Sequence, residues 1–163
     1  GLADGEAGAK ASALMLQAGA ALEQDDSAGA IALFAQLSGD ENAPPALRDL
    51  ATIREVATNF DEREPSEVIE RLSGLAVPGN AFFGSAGELT AMAHLKAGND
   101  AEAGAMFAAI AKDDGVPETL QSRARQMAGL LGVDAIEDPE ELLEEEGVIT
   151  DNGPPAPVQG AGS

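Results

Sequence analysis

The chain is 163 residues long and carries 29 acids against 9 bases, a net charge of −20. A field of that sign repels nucleic acid and anionic membrane surfaces and argues against both as direct partners. Hydrophobic residues make up 44% but aromatics only 3%, and cysteine is absent. The apolar mass is therefore mostly Ala, Leu, Ile, Val and Met, which suits closely spaced helices and not a sandwich or barrel. Disulfides, thiol catalysis and thiolate metal sites are excluded.

Taken in chain order, the punctuation predicts seven helices at roughly 6–23, 27–38, 45–59, 65–75, 81–97, 100–112 and 117–131. Asp61 to Pro65 breaks the chain before Val68, Ile69, Leu72 and Leu75. Pro78-Gly79-Asn80 stops one helix and caps the next, which runs to Gly98 as its C-terminal stop. Asn99 or Asp100 caps the following helix, where Phe107, Ile110 and Ala111 form an apolar face. Pro117 takes an early position of the last long helix, where a missing N–H costs nothing. In that helix Leu120, Ala124, Met127 and Leu131 recur at i, i+4, i+7 and i+11. Short connections make the helices antiparallel neighbours.

Asp138-Pro139 and Gly147 bracket a short eighth helix that is acidic and offers only Leu142 and Leu143 to pack. Residues 134–163 hold nine acids and no base, which leaves −11 for residues 1–133. The expected organisation is a helical domain at 1–133, an acidic linker and short helix at 134–147, and a disordered Pro/Gly-rich tail at 148–163. The acidity serves solubility or a salty environment. No apolar run approaches the ~20 residues that cross a bilayer. The chain opens at Gly1 and not Met, so it is expected to be processed or partial, with any signal or anchor lying upstream.

The helical part repeats itself. Shifted by 73 positions and without a gap, Leu16–Ala51 matches Leu89–Ala124 at Leu22/Leu95, Ala30/Ala103, Phe34/Phe107, Asp40/Asp113, Pro44/Pro117 and Leu47/Leu120, among others. Half of that shift is about 36 residues, near the period of about 34 that marks tetratricopeptide helix–turn–helix repeats. The fold expected is an all-α, antiparallel helix-hairpin solenoid.

Residues that could carry chemistry are few. His94 is the only histidine, so no His cluster for metal and no triad is available, and a half-buried packing role fits it. "FFGSAGEL" fails as a nucleophile elbow because Phe83 occupies the first Gly position around Ser85. Gly84 and Gly87 each cost a helix about 1 kcal/mol relative to Ala, which is offset by close approach of a neighbouring helix. "KDDGVPE" and "DDSAGA" lack calcium-loop spacing and read as capped turns. No Gly-rich phosphate loop occurs. No catalytic residue, cofactor, metal or small-molecule substrate is expected, and the chain reads as a non-enzyme.

"AHLKAGNDAEAGAMF" resembles the heart of the tetratricopeptide motif, with Ala91 and Ala103 as the small contacts, Gly98-Asn99 as the turn and Phe107 as the large knob. The wider stretch adds Pro78-Gly79, Ala86, Glu88, Ala91, His94, Gly98, Ala103, Phe107, Ile110, Asp113, Pro117, Leu120, Arg123-Ala124, Gln126-Met127 and Leu131-Gly132. On these residues it resembles the periplasmic domain of the YfgM-type family, ancillary subunits of the bacterial Sec translocon, in its α-proteobacterial version. The resemblance covers about residues 10–133. It implies an anchored interaction domain on the periplasmic side of the inner membrane, with the translocon and a membrane-bound periplasmic chaperone as protein partners. Alternatives are a soluble tetratricopeptide adaptor and an acidic holdase-like chaperone.

In an array of this type the first helices of the hairpins line a concave groove. The motif alignment aims Met15, Gly19, Glu88, Met92 and Lys96 at it, and Met15, Glu88, Met92 and Lys96 are the candidate partner-binding residues. Arg48, Arg54, Arg63 and Arg71 gather positive charge in the central third. They dock an acidic tail or sit in solvated i,i+4 pairs such as Glu67 with Arg71.

Overall fold

Ala- and Leu-rich stretches separated by Asp, Gly and Pro fold into seven α-helices and one 3-10 turn. These are α1 (Leu2–Glu23), α2 (Ser27–Ser38), α3 (Pro45–Thr58), the turn Phe60–Glu62, α4 (Pro65–Leu72), α5 (Phe83–Lys96), α6 (Asp100–Lys112) and α7 (Glu118–Leu130). The structure, a computed structural model, describes residues 1–133, among which there is no strand. The acidic helix expected within 134–147 and the tail at 148–163 lie outside the described residues.

The helix boundaries follow local chemistry, and several differ from the sequence expectation. α1 begins at Leu2, ahead of position 6. α4 stops at Leu72, short of 75. The Asn80 side chain accepts the Phe82 N–H at 2.8 Å and its carbonyl accepts the Phe83 N–H at 3.0 Å. Asn80 thus builds the turn before α5, and Phe82 takes the cap position. Pro117 is the cap residue of α7, extended at φ −55° and ψ 140°, and Glu118 is the first helical residue.

The sequence repeat is also a backbone repeat. α1, α5 and α7 each end on a left-handed residue: Asp25 at φ 58°, Gly98 at φ 80° and Gly132 at φ 77°. Each is followed by an N–H that reaches back five residues: Asp26 to Ala21 at 2.9 Å, Asn99 to His94 at 2.8 Å, and Val133 to Ala128 at 2.9 Å. This closes the last turn by satisfying a carbonyl that has no partner inside the helix. Position 25 lies 73 before position 98, so the first copy makes with Asp the turn that the second makes with Gly. The caps that follow agree too, with φ −91°, ψ 72° at Asp26 and φ −92°, ψ 67° at Asn99. Pro44, at φ −53° and ψ 132°, mirrors Pro117. The units α1–α2–α3 and α5–α6–α7 are thus two copies of one motif, with α4 between them.

The packing is that of a helix-hairpin solenoid. Sequential helices α1–α2, α2–α3, α4–α5, α5–α6 and α6–α7 lie against one another, and α1–α3, α3–α5 and α5–α7 also touch, so the odd-numbered helices form one row. Three core clusters run along it. Leu14, Phe34 and Leu37 anchor the first, Ile53, Val56, Val68 and Leu72 the second, and Phe83, Phe107 and Ile110 the third. Phe34 and Phe107, equivalent in the repeat, are both 2% exposed, and each such burial stabilises by about 1.5–3 kcal/mol. Gly84 and Gly87 do admit their neighbours. A methyl group at Gly84 would stand 2.6 Å from Leu120 Cδ2, and one at Gly87 would stand 3.1 Å from Ile110 Cδ1.

The two ends of the row differ. Ala86 and Ala93 of α5 are buried, and Leu89 packs on the middle cluster. Their counterparts on α1, Ala13, Leu16 and Ala20, are exposed, because no described hairpin precedes α1. At the other end, exposed Gln126 and Gly129 of α7 stand where α3 has buried Ile53 and Val56.

The central arginines do not form the expected pair. Glu55 is buried on α3 and accepts from Arg63 Nη2 at 3.1 Å and from Arg71 Nη2 at 2.5 Å. Glu67 pairs with Arg63 at 2.6 Å instead of Arg71. The bend between α3 and α4 brings both guanidinium groups to the Glu55 carboxylate, a stronger attraction than a solvated partner along one helix.

Candidate functional site

On α5, Glu88, Met92 and Leu95 follow one another at i, i+4 and i+7 and share a side of the helix. On α7, the next helix of the same row, Arg123 and Met127 do likewise. Phe107 of α6 lies beneath them, and Phe60, projecting from the 3-10 turn, closes one end. Together these seven side chains line a cleft of about 340 Å³. Its walls are almost wholly apolar, and Met92 is 41% exposed at the mouth.

Two charged groups set the geometry of the cleft. Arg123 donates from Nε to Glu88 Oε1 at 3.0 Å and from Nη2 to Glu88 Oε2 at 2.6 Å. This two-point pair ties α5 to α7 and holds Arg123 still more firmly protonated, first through the hydrogen bond and then through the carboxylate charge. Lys96 Nζ donates to the carbonyls of Asp61 at 2.7 Å and Arg63 at 3.0 Å, and it lies 5.8 Å from the centroid of Phe60. Lys96 thereby pins the 3-10 turn onto α5 and fixes the Phe60 wall.

Of the four candidate residues, Glu88 and Met92 line the cleft and Lys96 positions its wall. Met15 does not join them, since it packs against the N-terminal core cluster. Under the 73-residue shift Met15 is the counterpart of Glu88, and Gly19 that of Met92, so α1 lacks the side chain that lines the cleft on α5. Sequence reasoning missed Phe60, Leu95, Arg123 and Met127 as site residues and read Phe107 only as a packing knob. A signal for two of them existed, because Arg123 and Met127 each follow Glu88 and Met92 by 35 positions, about one hairpin. That spacing puts like positions on adjacent helices of the odd row. Phe60 had no such marker.

Two other depressions lie elsewhere. One of about 370 Å³ is bordered by Ala76, Pro78, Phe83, His94, Glu102 and Met106, among others. His94 is half-buried there, and its Nδ1 is buried with no hydrogen-bond partner among the described residues. The other, of about 510 Å³, is polar and open between Thr52, Glu67, Glu70 and Arg71. Among the described residues no three His, Asp or Glu side chains converge as metal ligands, and no helix is long and apolar enough to cross a membrane.

The α5–α7 cleft holds no nucleophile beside a base. It offers thioether and aromatic surface that adapts to an inserted apolar side chain. Compared with known proteins, the chain matches no family model, no curated protein and no solved structure. What stands for it is the fold: among the described residues, an all-α helix-hairpin solenoid with an apolar cleft on its row of odd-numbered helices.

Proposed function

We propose that the chain is a non-enzymatic protein-interaction scaffold that receives an apolar segment of a partner protein in the cleft between α5 and α7. One observation carries this reading. Phe60, Met92, Leu95 and Met127 present apolar surface at an opening that nothing among the described residues covers, and an apolar depression rimmed by polar groups is the usual mark of a binding site. The Glu88–Arg123 pair and Lys96 hold its walls before any partner arrives, which lowers the ordering cost of binding.

The partners and setting rest on the resemblance to the YfgM-type family. In this reading the domain stands on the periplasmic side of the inner membrane, held by a segment N-terminal to α1, and contacts the translocon and a membrane-bound chaperone. The test is site-specific photocrosslinking in bacterial cells, with the crosslinker replacing Met92, Met127 or, as an exposed control, Leu16. The expected result is one or two discrete protein adducts from positions 92 and 127 and none from 16. A ladder of many adducts, together with suppression of aggregation by the purified chain, would favour a client-binding chaperone. Absence of adducts at 92 and 127 would refute the cleft as the docking surface.

A further inference from the structure

We infer that the segment taken by the α5–α7 cleft is basic: an apolar anchor flanked by Lys or Arg, which settle beside Asp61 and Glu62. This rests on the reading of the cleft as a protein-docking surface. The cleft itself has no place for a charge, being lined by Phe60, Met92, Leu95, Phe107 and Met127 between its two charged rim residues. The partner's polar recognition must therefore lie on the rim.

At the rim the cations are already engaged. Arg123 gives Nε and Nη2 to Glu88, and Lys96 gives its ammonium to the Asp61 and Arg63 carbonyls. Arg63, behind the turn, bonds Asn59, Glu67 and Glu55. Glu88 already offsets the Arg123 charge and the two carbonyls take up two of the three Lys96 N–H groups, so an acidic partner residue finds little unspent positive charge here. The acids present the opposite case. Asp61 and Glu62 are exposed next to Phe60, and among the described residues neither forms an ion pair. Residues 1–133 as a whole carry −11, so the long-range field draws a cationic segment in and turns an acidic one away. The same field opposes an anionic lipid surface as the occupant.

The experiment uses the full chain and three fluorescent peptides that share one Leu-Leu-Phe anchor, flanked on each side by two lysines, two glutamines or two glutamates. Anisotropy is read at low and at raised salt. The lysine-flanked peptide should bind at least about threefold tighter than the glutamine-flanked one at low salt, as two exposed ion pairs allow, and the glutamate-flanked one should bind most weakly. Raised salt should shrink the gap. Asp61→Asn with Glu62→Gln should remove most of the lysine advantage and leave glutamine-flanked binding unchanged. Equal binding of the lysine and glutamine forms, or a preference for glutamate, overturns the inference while leaving the docking surface intact. If the lysine peptide binds but Met92→Ser with Met127→Ser does not weaken it, the general acidic surface holds it and the inference falls. Failure of all three peptides to bind refutes the docking reading, and the inference with it.

Discussion

Replacing Glu55 with Gln should be among the most damaging single-atom changes the fold can suffer. Glu55 is 6% exposed, and the Arg63 side chain that faces it is 9% exposed, so neither charge has water to fall back on. The substitution removes a carboxylate that accepts from Arg63 at 3.1 Å and from Arg71 at 2.5 Å. Breaking one partner of a buried pair costs about 3–5 kcal/mol. Two features soften this. Arg63 keeps Asn59 and Glu67, and Arg71, 37% exposed, can turn to solvent. A loss of about 2–4 kcal/mol is therefore expected. In a chain of this size that lowers the melting temperature by roughly 5–15 °C. Urea unfolding at neutral pH followed by far-UV circular dichroism reads it directly, with Glu67→Gln as the control. Glu67, 55% exposed, should cost less than about 1 kcal/mol. A Glu55→Gln loss below about 0.5 kcal/mol, or one no larger than the control's, would refute the buried network as the pin between α3 and α4.

Asp25→Gly should stabilise the chain by about 0.5–1 kcal/mol, because φ 58° strains an L-residue and glycine serves at the equivalent position 98; destabilisation in the same unfolding assay would contradict the shared turn. Leu89→Ala should cost about 1–3 kcal/mol while Leu16→Ala, at a position 77% exposed, should cost less than about 0.5 kcal/mol; equal costs would mean that the α1 face is covered in solution. The Asp40 carboxyl is held below its ordinary value of 3.8, first by the hydrogen bond from Lys10 and then by that from the Asn42 N–H. Its contribution to stability is accordingly full above 3.8 and lost as the pH falls through the lower folded value. An NMR titration should place its midpoint below 3.8 and find it raised by Lys10→Ala; a midpoint at or above 3.8 in the parent chain would contradict the pairing.

Much of the fold was legible because its determinants are local. Proline at the start of α3 and α4 and just before α7, Gly98 after α5 and the acids before α2 mark boundaries through backbone preferences that need no tertiary information. The 73-residue repeat survives into the backbone because the turn at 23–27 and the turn at 96–100 solve one geometric problem. Two of the seven cleft residues were legible for the same reason, since Glu88 and Met92 lie on the row-forming face of a helix whose period is fixed. Non-local features were not legible. Arg63 and Arg71 lie 8 and 16 residues beyond Glu55, across a chain break whose bend no periodicity predicts, so their meeting was invisible and a solvated Glu67–Arg71 pair stood in for it. Phe60 becomes a wall only because Lys96 captures carbonyls 35 and 33 residues away. Met15 shows the limit of carrying one repeat onto another, since the same row position on α1 is followed by Gly19 where α5 has Met92.

The central claim is that partners meet this molecule at the cleft between α5 and α7. The chain supplies its own probes, because its four methionines are Met15, Met92, Met106 and Met127, two in the cleft and two outside it. Methyl-labelled methionine NMR of the full chain, titrated with the glutamine-flanked Leu-Leu-Phe peptide, reads all four at once. The account predicts saturable shifts at Met92 and Met127 and stationary signals at Met15 and Met106. Shifts at Met15 or Met106 with Met92 and Met127 unmoved would contradict it.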